Sequence, residues 1–319
     1  MILVVGELLM DMVTTDLVKN LSETKLLQIK IGGSAANFAS FCSTLGAPVK
    51  LIAAVGKDGF GDIAVQTISN SGIATDHIAR LPNNFTSVIV VGKSHSTPEF
   101  IPYRDADHLI NAIDEQLISN CSVLHSTAFA LSKEPARTSI MQAFEKAHQL
   151  KKLISVDWNF AKKIWGTDNN ATAVFDQLMS YRPLLKVSMD DARRFWNIGD
   201  DVDAAKQKLD AYQTTFICLT HGANGVFYKR TDAPWEYKTN LPTKVIDVTG
   251  AGDAFWSGFI TSYIQNAQTT AAIDNALIVA RERLEQRILL QHCYYRNFIT
   301  NESNCEEENL YCKKFDVFI

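Results

Sequence analysis

Short apolar runs, each bounded by glycine or polar residues, recur along the chain. They cover residues 2–6, 50–56, 121–126, 152–157, 184–188 and 214–220. Runs of this length are typical of strands that are buried on both faces. Between them lie segments whose apolar positions recur every three or four residues, which predicts helices at 35–47, 60–72, 134–150, 170–182 and 202–212. This alternation predicts an α/β fold, with a mainly parallel sheet covered by helices on both faces.

Two regions depart from this alternation. Residues 12–31 and 86–105 alternate between apolar and polar with a period of two, with turn residues between the runs, which predicts antiparallel strands with one exposed face. We expect both to form a small sheet over one edge of the core, serving as a lid or as a dimer contact. The core would then comprise residues 1–11, 32–85 and 106–319.

Composition limits the classes of function. The chain has 319 residues, of which 46% are hydrophobic, so it can bury a large core. Its net charge of −4 gives no basis for binding nucleic acid or an anionic membrane. Its six cysteines lack CxxC pairs, which argues against a zinc site or a disulfide framework. With neither the pattern of a signal peptide nor a membrane-spanning run, the sequence predicts a cytoplasmic protein.

The segment "DVTGAGDAF" begins at Asp247 and precedes an apolar helical stretch. The free N–H groups of Gly250, Ala251 and Gly252 and the positive end of the helix dipole would converge there and form an anion site. Asp253 could be an ordinary helix cap, which contributes about 0.5–2 kcal/mol. It could also be a base. Two glycines around an alanine favour the functional interpretation, because a cap needs only one acid.

A second glycine-containing segment, "IGGSAANFAS", places Gly32 and Gly33 before a predicted helix that carries Asn37. The glycines would let a ligand approach the backbone closely, and the amide offers both donors and an acceptor. Residues 56–62, "GKDGFGD", lack the G-x-G-x-x-G order of a dinucleotide loop, and the chain has no G-x-x-x-x-G-K-[ST] loop.

Together the two segments resemble the signatures of the ribokinase-like carbohydrate kinases, the phosphofructokinase-B superfamily. The N-terminal signature is matched by Gly32, Gly33, Asn37, Ala39, Gly46 and Gly56, and the C-terminal one by residues 247–260. The resemblance covers roughly residues 1–280. It implies a three-layer α/β/α core with a β-sheet lid, ATP and Mg²⁺ as cofactors, and a homodimer formed through the lid. Dependence on a monovalent cation is common in this family.

The resemblance also implies the positions that bind sugar. The start "GELLMD" is similar to that of fructokinases and 2-keto-3-deoxygluconate kinases and places the sugar-binding acid at Asp11. The implied sugar contacts are Asp11, Gly32, Gly33, Asn37, Tyr103, Arg104, Asp157 and Asn159. The stretch "DWNFAKKIW" departs from the family at one position, where Ala161 replaces an arginine that contacts phosphate.

Further matches imply the ATP side of the site. "KVSMDDA" is similar to a K-x-[NS]-x-x-E segment, and "LTHGANG" to a T-x-G-x-x-G nucleotide segment. The implied ATP-binding residues are Lys186, Ser188, Thr220, Gly222 and Gly225. The candidate Mg²⁺ ligands are Asp191 and Asp247.

Phosphoryl transfer requires a base for the attacking hydroxyl and donors for the charge on the transferred group. Asp253 suits the first role, and the N–H groups of residues 250–252 suit the second. We therefore expect an ATP-dependent sugar kinase acting on fructose. Alternatives are 2-keto-3-deoxygluconate or another sugar or nucleoside as substrate. A different class, a catalytically impaired sugar-binding protein, is suggested by Ala161 and by an atypical tail at about 287–319, either divergent or the product of a reading-frame change.

Overall fold

The structure is a computed structural model, and it describes residues 1–93, 99–166, 170–265 and 268–287. Of the atypical tail, only Arg287 belongs to the described residues. Among them, strands lie at β1 (Ile2–Val5), β2 (Leu9–Leu17), β3 (Leu27–Gly32), β4 (Val49–Gly56), β5 (Ile78–Leu81), β6 (Val88–Lys93), β7 (Phe100–Tyr103), β8 (Val123–Thr127), β9 (Leu153–Asp157), β10 (Leu184–Ser188), β11 (Phe216–Thr220), β12 (Val226–Arg230) and β13 (Glu236–Lys238).

Helices connect most of these strands. They lie at α1 (Ser34–Thr44), α2 (Gly59–Asn70), α3 (Glu115–Asn120), α4 (Ala136–Gln149), α5 (Lys162–Trp165), α6 (Ala171–Ser180), α7 (Met189–Trp196), α8 (Val202–Asp210), α9 (Ala251–Ile264) and α10 (Thr269–Leu284). None of the helices in the described ranges is long and apolar enough to cross a bilayer.

A nine-stranded sheet forms the centre of the fold, in the order β13-β12-β11-β10-β9-β8-β1-β4-β5. The strands predicted from the short apolar runs are β1, β4, β8, β9, β10 and β11, which lie side by side and are all parallel. Only β12 and β13, at one edge, pair antiparallel. The predicted α/β fold is confirmed.

Helices cover both faces of this sheet and create two cores. Along β1, Leu3 and Val5 face a core that includes side chains of α4, α6, α7 and α8. The alternate residues Ile2 and Val4 face a second core with side chains of α1, α2, α9 and α10. Because a strand directs successive side chains to opposite faces, a strand buried on both sides is apolar throughout.

A separate four-stranded sheet has the order β3-β2-β6-β7. The pairs β2–β3 and β6–β7 are antiparallel, as the alternating pattern predicts. The pairing of β2 with β6 is parallel, which the sequence did not predict. The reason is that β2 follows β1 and β6 follows β5, and these parallel strands leave the large sheet at the same edge.

The two faces of the small sheet differ in chemistry. Paired positions place Met12, Ile29, Val90 and Ile101 in one row across the four strands. Ile29 is 48% exposed and Ile101 is 37% exposed, so this apolar row is partly open to solvent. The adjacent row starts from the pair Asp11 and Lys30, on the opposite face. One face is therefore apolar and the other carries charged groups.

Candidate functional site

Most predicted site residues meet at the carboxyl edge of the large sheet. Asp157, Ser188 and Thr220 are the last residues of β9, β10 and β11, which are adjacent. Helices α1 and α9 both begin near this edge, and α1 packs against α9. In open parallel sheets, ligands bind at this edge, because the strand ends and the helix N-termini converge there.

Asp253 lies in the first turn of α9 and is 8% exposed. Its side chain does not cap the helix: the cap position is Gly250, which has no side-chain capping bond. Instead, Asn37 Nδ2 donates a hydrogen bond to Asp253 Oδ2 over 2.9 Å. Burial, followed by the negative charge of Asp157, raises the pKa of Asp253 to about 7. A buried carboxyl group titrating near neutrality can take up a proton from a bound hydroxyl.

Asn159 connects α1 with the segment after β8 and belongs to the hydrogen-bond network around Asp253. Its Nδ2 donates to Ser34 Oγ over 3.0 Å, and its Oδ1 accepts from the Phe129 N–H over 3.1 Å. Ser34 in turn hydrogen bonds to Asp253. The polar groups of Asn159 are thus engaged within the protein, and this side chain positions α1 against the end of β8.

Asp11 lies against the two glycines that precede α1. A methyl group at Gly32 would come within 2.5 Å of the Asp11 carboxylate, so a larger residue there would displace this carboxylate. Gly33 has φ +100°, a backbone conformation that other residues adopt at a cost. Burial and the charge of Asp253 raise the pKa of Asp11 to about 7, against the opposing charge of Lys30. Two carboxyl groups therefore flank the space in front of α1.

Lys186 and Asp157 form a buried ion pair below the start of α9. Lys186 Nζ lies 2.8 Å from both carboxylate oxygens of Asp157. Burial disfavours the charged amine, but Asp157 and then Asp191 outweigh it and raise the pKa of Lys186. A methyl group at Gly252 would lie 3.3 Å from Lys186 Nζ. The cation is therefore placed directly next to the N–H groups of residues 250–252, hereafter the anion loop.

Ser188 and Asp191 form a capping box at the start of α7. The Asp191 N–H donates to Ser188 Oγ, and the Ser188 N–H donates to Asp191 Oδ2. Arg194 also contacts Asp191, at 3.2 Å. Burial raises the pKa of Asp191 to about 6, although the neighbouring Lys186 opposes this shift. Both carboxylate oxygens are engaged, so Asp191 fits a metal ion through a bridging water rather than directly.

Asp247 lies just ahead of the anion loop, between two cations. Its Oδ2 is 3.2 Å from Arg283 Nη2 and 3.6 Å from Lys30 Nζ, and its Oδ1 accepts from the Thr249 N–H. Partial burial opposes ionisation, but the Thr249 hydrogen bonds and these cations lower the pKa of Asp247 to about 2. Such contacts disfavour Asp247 as a magnesium ligand. Over the described ranges, no three His, Cys, Asp or Glu side chains cluster as a metal site.

A cavity of about 480 Å³ opens beside the anion loop. Thr220, Gly222 and Gly225 line it, together with Ala251 and Gly252 of the loop. Its remaining walls are mainly apolar and include Val226, Phe255, Leu277 and Ala280. An apolar cavity that ends at exposed backbone N–H groups suits a flat aromatic base followed by a chain of phosphates. The residues predicted to bind nucleotide are thus brought together with the anion loop.

Tyr103 and Arg104, by contrast, do not point at the carboxyl groups of Asp11 and Asp253. The Arg104 side chain is 3% exposed, pairs with Asp107 at 2.6 Å and lies over the ring of Phe129. Tyr103 is 61% exposed and lines a separate groove of about 740 Å³ beside α2. Their roles as sugar contacts stay predictions.

Glu7 is a buried acid that the sequence analysis missed. Thr127 Oγ1 donates to its Oε2 over 2.7 Å, and the Ala35 N–H in the first turn of α1 donates to its Oε1 over 3.3 Å. Burial raises the pKa of Glu7 to about 7. The carboxyl group thereby ties the start of α1 to β8. The available signal was an acid immediately after a wholly apolar strand.

Comparison with known proteins identifies a family for the chain. A family profile described as "pfkB family carbohydrate kinase" matches residues 1–287. The ATP-dependent 6-phosphofructokinase of Thermoanaerobacterium thermosaccharolyticum is 30% identical over 285 residues, which cover 89% of this chain and 87% of that protein.

Solved structures share the fold. The fructokinase of Halothermothrix orenii superposes with a TM-score of 0.78 at 30% identity, over 88% of this chain and 97% of its own. A sugar kinase of Pyrococcus horikoshii, solved in complex with ATP, has a TM-score of 0.76 at 20% identity, over 88% of this chain and 91% of its own. At that identity the second structure supports the fold alone.

Proposed function

Because the chain belongs to the pfkB family of carbohydrate kinases and is a sugar kinase, we propose that it transfers the γ-phosphoryl group of ATP to a hydroxyl group of fructose. The observation that carries this proposal is Asp253. It is a buried carboxyl group with a pKa raised to about 7, and it adjoins the anion loop without capping the helix. The nucleotide cavity adjoins the anion loop. Asp11 and Gly32 lie together just ahead of the first turn of α1.

The transfer proceeds in one displacement. The sugar hydroxyl oxygen attacks the γ-phosphorus, and its proton passes to Asp253. The bond from the γ-phosphorus to the bridging oxygen breaks, and ADP leaves with the electron pair. The N–H groups of Gly250, Ala251 and Gly252 hold the phosphoryl oxygens, and the adjacent Lys186 adds a positive charge.

The sugar would lie between the carboxyl groups of Asp11 and Asp253. Asn37 would have two roles. Its amide group donates a hydrogen bond to the base Asp253, and it would also contact the sugar. Mg²⁺ would arrive with ATP, held mainly by phosphate oxygens and water, and Asp191 would contact it through a water molecule. When bound, it would neutralise phosphate charge. A monovalent-cation requirement is tested by replacing potassium with a large organic cation in the assay.

The small sheet serves, in this proposal, as a lid and as the contact between two copies of the chain. Its charged face carries Asp11 and Lys30 towards the site, and its apolar row of Met12, Ile29, Val90 and Ile101 is left to a partner. The net charge of −4 supports neither nucleic acid nor an anionic membrane as partner. We place the enzyme in the cytoplasm, where ATP is available.

The identity of the sugar is tested with a substrate panel. ADP release is measured with ATP and, at equal concentrations, fructose, fructose 6-phosphate, 2-keto-3-deoxygluconate and a nucleoside. Fructose 6-phosphate is included because one relative at 30% identity is a 6-phosphofructokinase. We expect the highest kcat/KM with fructose. A higher value with another sugar would overturn the fructose assignment and retain the kinase.

The alternative of an impaired sugar-binding protein is tested by the same assay. The intact base, the anion loop and the Asp157–Lys186 ion pair support an active enzyme despite Ala161. Sugar-dependent ADP release above the rate with ATP alone is the expected result. Binding of sugar without any sugar-dependent release would favour the impaired protein.

A further inference from the structure

Arg283 lies in the last turn of α10, beside the beginning of α9. The two segments are joined where the Ile246 N–H donates to the Leu284 carbonyl over 2.9 Å. This places the last turn of α10 next to Asp247 and the anion loop. Neither the glycine signatures nor the strand pattern drew attention to this residue.

The guanidinium group of Arg283 is buried but only partly paired. The residue is 7% exposed, and Nη2 contacts Asp247 at 3.2 Å. Its Nε is also buried and has no hydrogen-bond partner among the residues that the structure describes. A buried charged donor without an acceptor is unfavourable, so such a group calls for an acceptor that the free protein does not supply.

The unpaired Nε lies close to the anion loop. It lies 3.7 Å from the position of a methyl group built on Gly250, and Asn37 Nδ2 lies 3.9 Å from the same point. Asn37 Nδ2 also donates to Asp253. Arg283 therefore borders the same small space as the base and the first N–H of α9.

The groups around this space include carboxylates as well as cations, since the base Asp253 borders it together with Asp247. Asp247 is shared by Arg283 and Lys30, so one carboxylate faces two cations. Residue 161 is an alanine, and the two lysines after it, Lys162 and Lys163, are both exposed, with Lys163 Nζ 3.3 Å from the Phe100 carbonyl. Besides Lys186 of β10, the cation next to the start of α9 is thus Arg283 of α10.

We propose that Arg283 binds an oxygen of the phosphoryl group held on the anion loop. It is then a catalytic residue of the proposed kinase reaction, on which this inference rests. The bound phosphate supplies the acceptor that Nε lacks, and the guanidinium stabilises the charge that spreads over the transferred group. Arg283 does not line the cavity that would hold the base of the nucleotide.

The test compares Arg283→Met and Arg283→Ala with the wild-type enzyme. Methionine fills the buried site without a charge and preserves folding where alanine leaves a gap. We expect kcat to fall by roughly 10²–10³, the usual effect of losing one donor to a transition-state oxyanion. The sugar KM should change by less than about threefold. Arg287→Ala is the matched control, since it removes an exposed arginine three residues after α10.

Nucleotide binding gives a readout that a merely structural role would not produce. In calorimetric titrations, Arg283→Met should weaken ATP binding at least tenfold and leave AMP binding within about twofold, because only ATP reaches the loop with its γ-phosphate. Added guanidinium should restore part of the kcat of Arg283→Ala and have no such effect on Arg283→Met, where the space is filled.

An unchanged ratio of ATP to AMP affinity in Arg283→Met, together with a kcat within threefold of wild type, would overturn the inference and leave the kinase assignment intact. Equal weakening of ATP and AMP would also overturn it, since that result indicates a distorted cavity. If the wild type itself released no sugar-dependent ADP, the proposed function would fail, and the ATP-to-AMP ratio would still decide whether Arg283 binds phosphate.

Discussion

At the scale of single residues, the account depends on when Asp253 carries a proton. Burial and the charge of Asp157 raise its pKa to about 7, while hydrogen bonds from Asn37 and the charge of Lys186 oppose this shift. A base must be deprotonated to accept the proton of the sugar hydroxyl. The rate should therefore fall as the pH decreases through the pKa of Asp253.

Two variants should shift the pH profile of kcat in opposite directions. Asn37→Ala removes a hydrogen bond that stabilises the carboxylate, so the acid limb should move to higher pH. Asp157→Asn removes a negative charge and frees the positive charge of Lys186, so the limb should move to lower pH. Stopped assays from pH 5 to 9 measure both. Shifts of the same sign would assign the limb to another group.

At the scale of elements, the site depends on how the starts of α1 and α9 are held in position relative to each other. Glu7 ties α1 to β8, and Asn37 ties α1 to α9 through Asp253. The anion loop can only serve the base if these helices stay aligned. A buried acid remote from the reaction thus sets the geometry of residues that perform it.

Replacing Glu7 tests this arrangement. Glu7→Ala leaves the Thr127 hydroxyl and the Ala35 N–H without their acceptor, and it should lower the free energy of unfolding by roughly 1–3 kcal/mol. Glu7→Gln keeps one acceptor and the shape of the side chain, so it should retain most of the stability. Urea denaturation followed by circular dichroism measures the difference. Equal stability of Glu7→Ala and wild type would contradict the assigned role.

The sequence predicted the central strands and helices well, because the apolar positions in each follow a single pattern along the chain. The runs that became β1, β4, β8, β9, β10 and β11 are mostly apolar and buried, since helices cover both of their faces. Their buried charged residues, Asp157 and Lys186, pair with each other. Strand β5 was missed because only Ile78 in it is buried, and β13 because it has no buried residue. Such short edge strands are stabilised by pairing with a neighbour, which no local pattern records.

The candidate site was predictable only in part. Asp253, Asn37 and the anion loop lie in glycine-containing segments whose composition is unusual in itself. Glu7 and Arg283 lack such a signal, because Glu7 is a lone acid in an apolar stretch and Arg283 is one of several charged residues in "RERLEQR". Their importance comes from burial and from partners distant in sequence, such as Thr127 and Asp247. The orientation of Arg104 towards Asp107 likewise depends on tertiary packing.

At the scale of the whole molecule, the small sheet connects the site to the outer surface. Its charged face carries Asp11 and Lys30, and its other face presents an apolar row with Ile29 and Ile101 partly exposed. Exposed apolar rows of this kind mark contact surfaces. In the proposed dimer, the row is covered by the same row of a second copy.

A charge placed in this row should separate the proposed dimer. Ile29→Glu would bury an unpaired carboxylate against its copy, so sedimentation velocity should show a monomer. Gln28→Glu, on the same strand and the opposite face, is the control and should leave the dimer intact. A dimer that persists in Ile29→Glu, or a monomeric wild type, would refute this surface as the contact.

The central claim is that Asp253 accepts the proton of the sugar hydroxyl, and the Asp253→Asn enzyme tests it most directly. Fructose-dependent ADP release is measured at pH 8 with both substrates saturating, and binding of each substrate is measured separately. Asparagine cannot act as the base, so we predict a fall in kcat of roughly 10²–10⁴. Binding of fructose and of ATP should each stay within a few-fold of wild type. A kcat within tenfold of wild type would contradict the account.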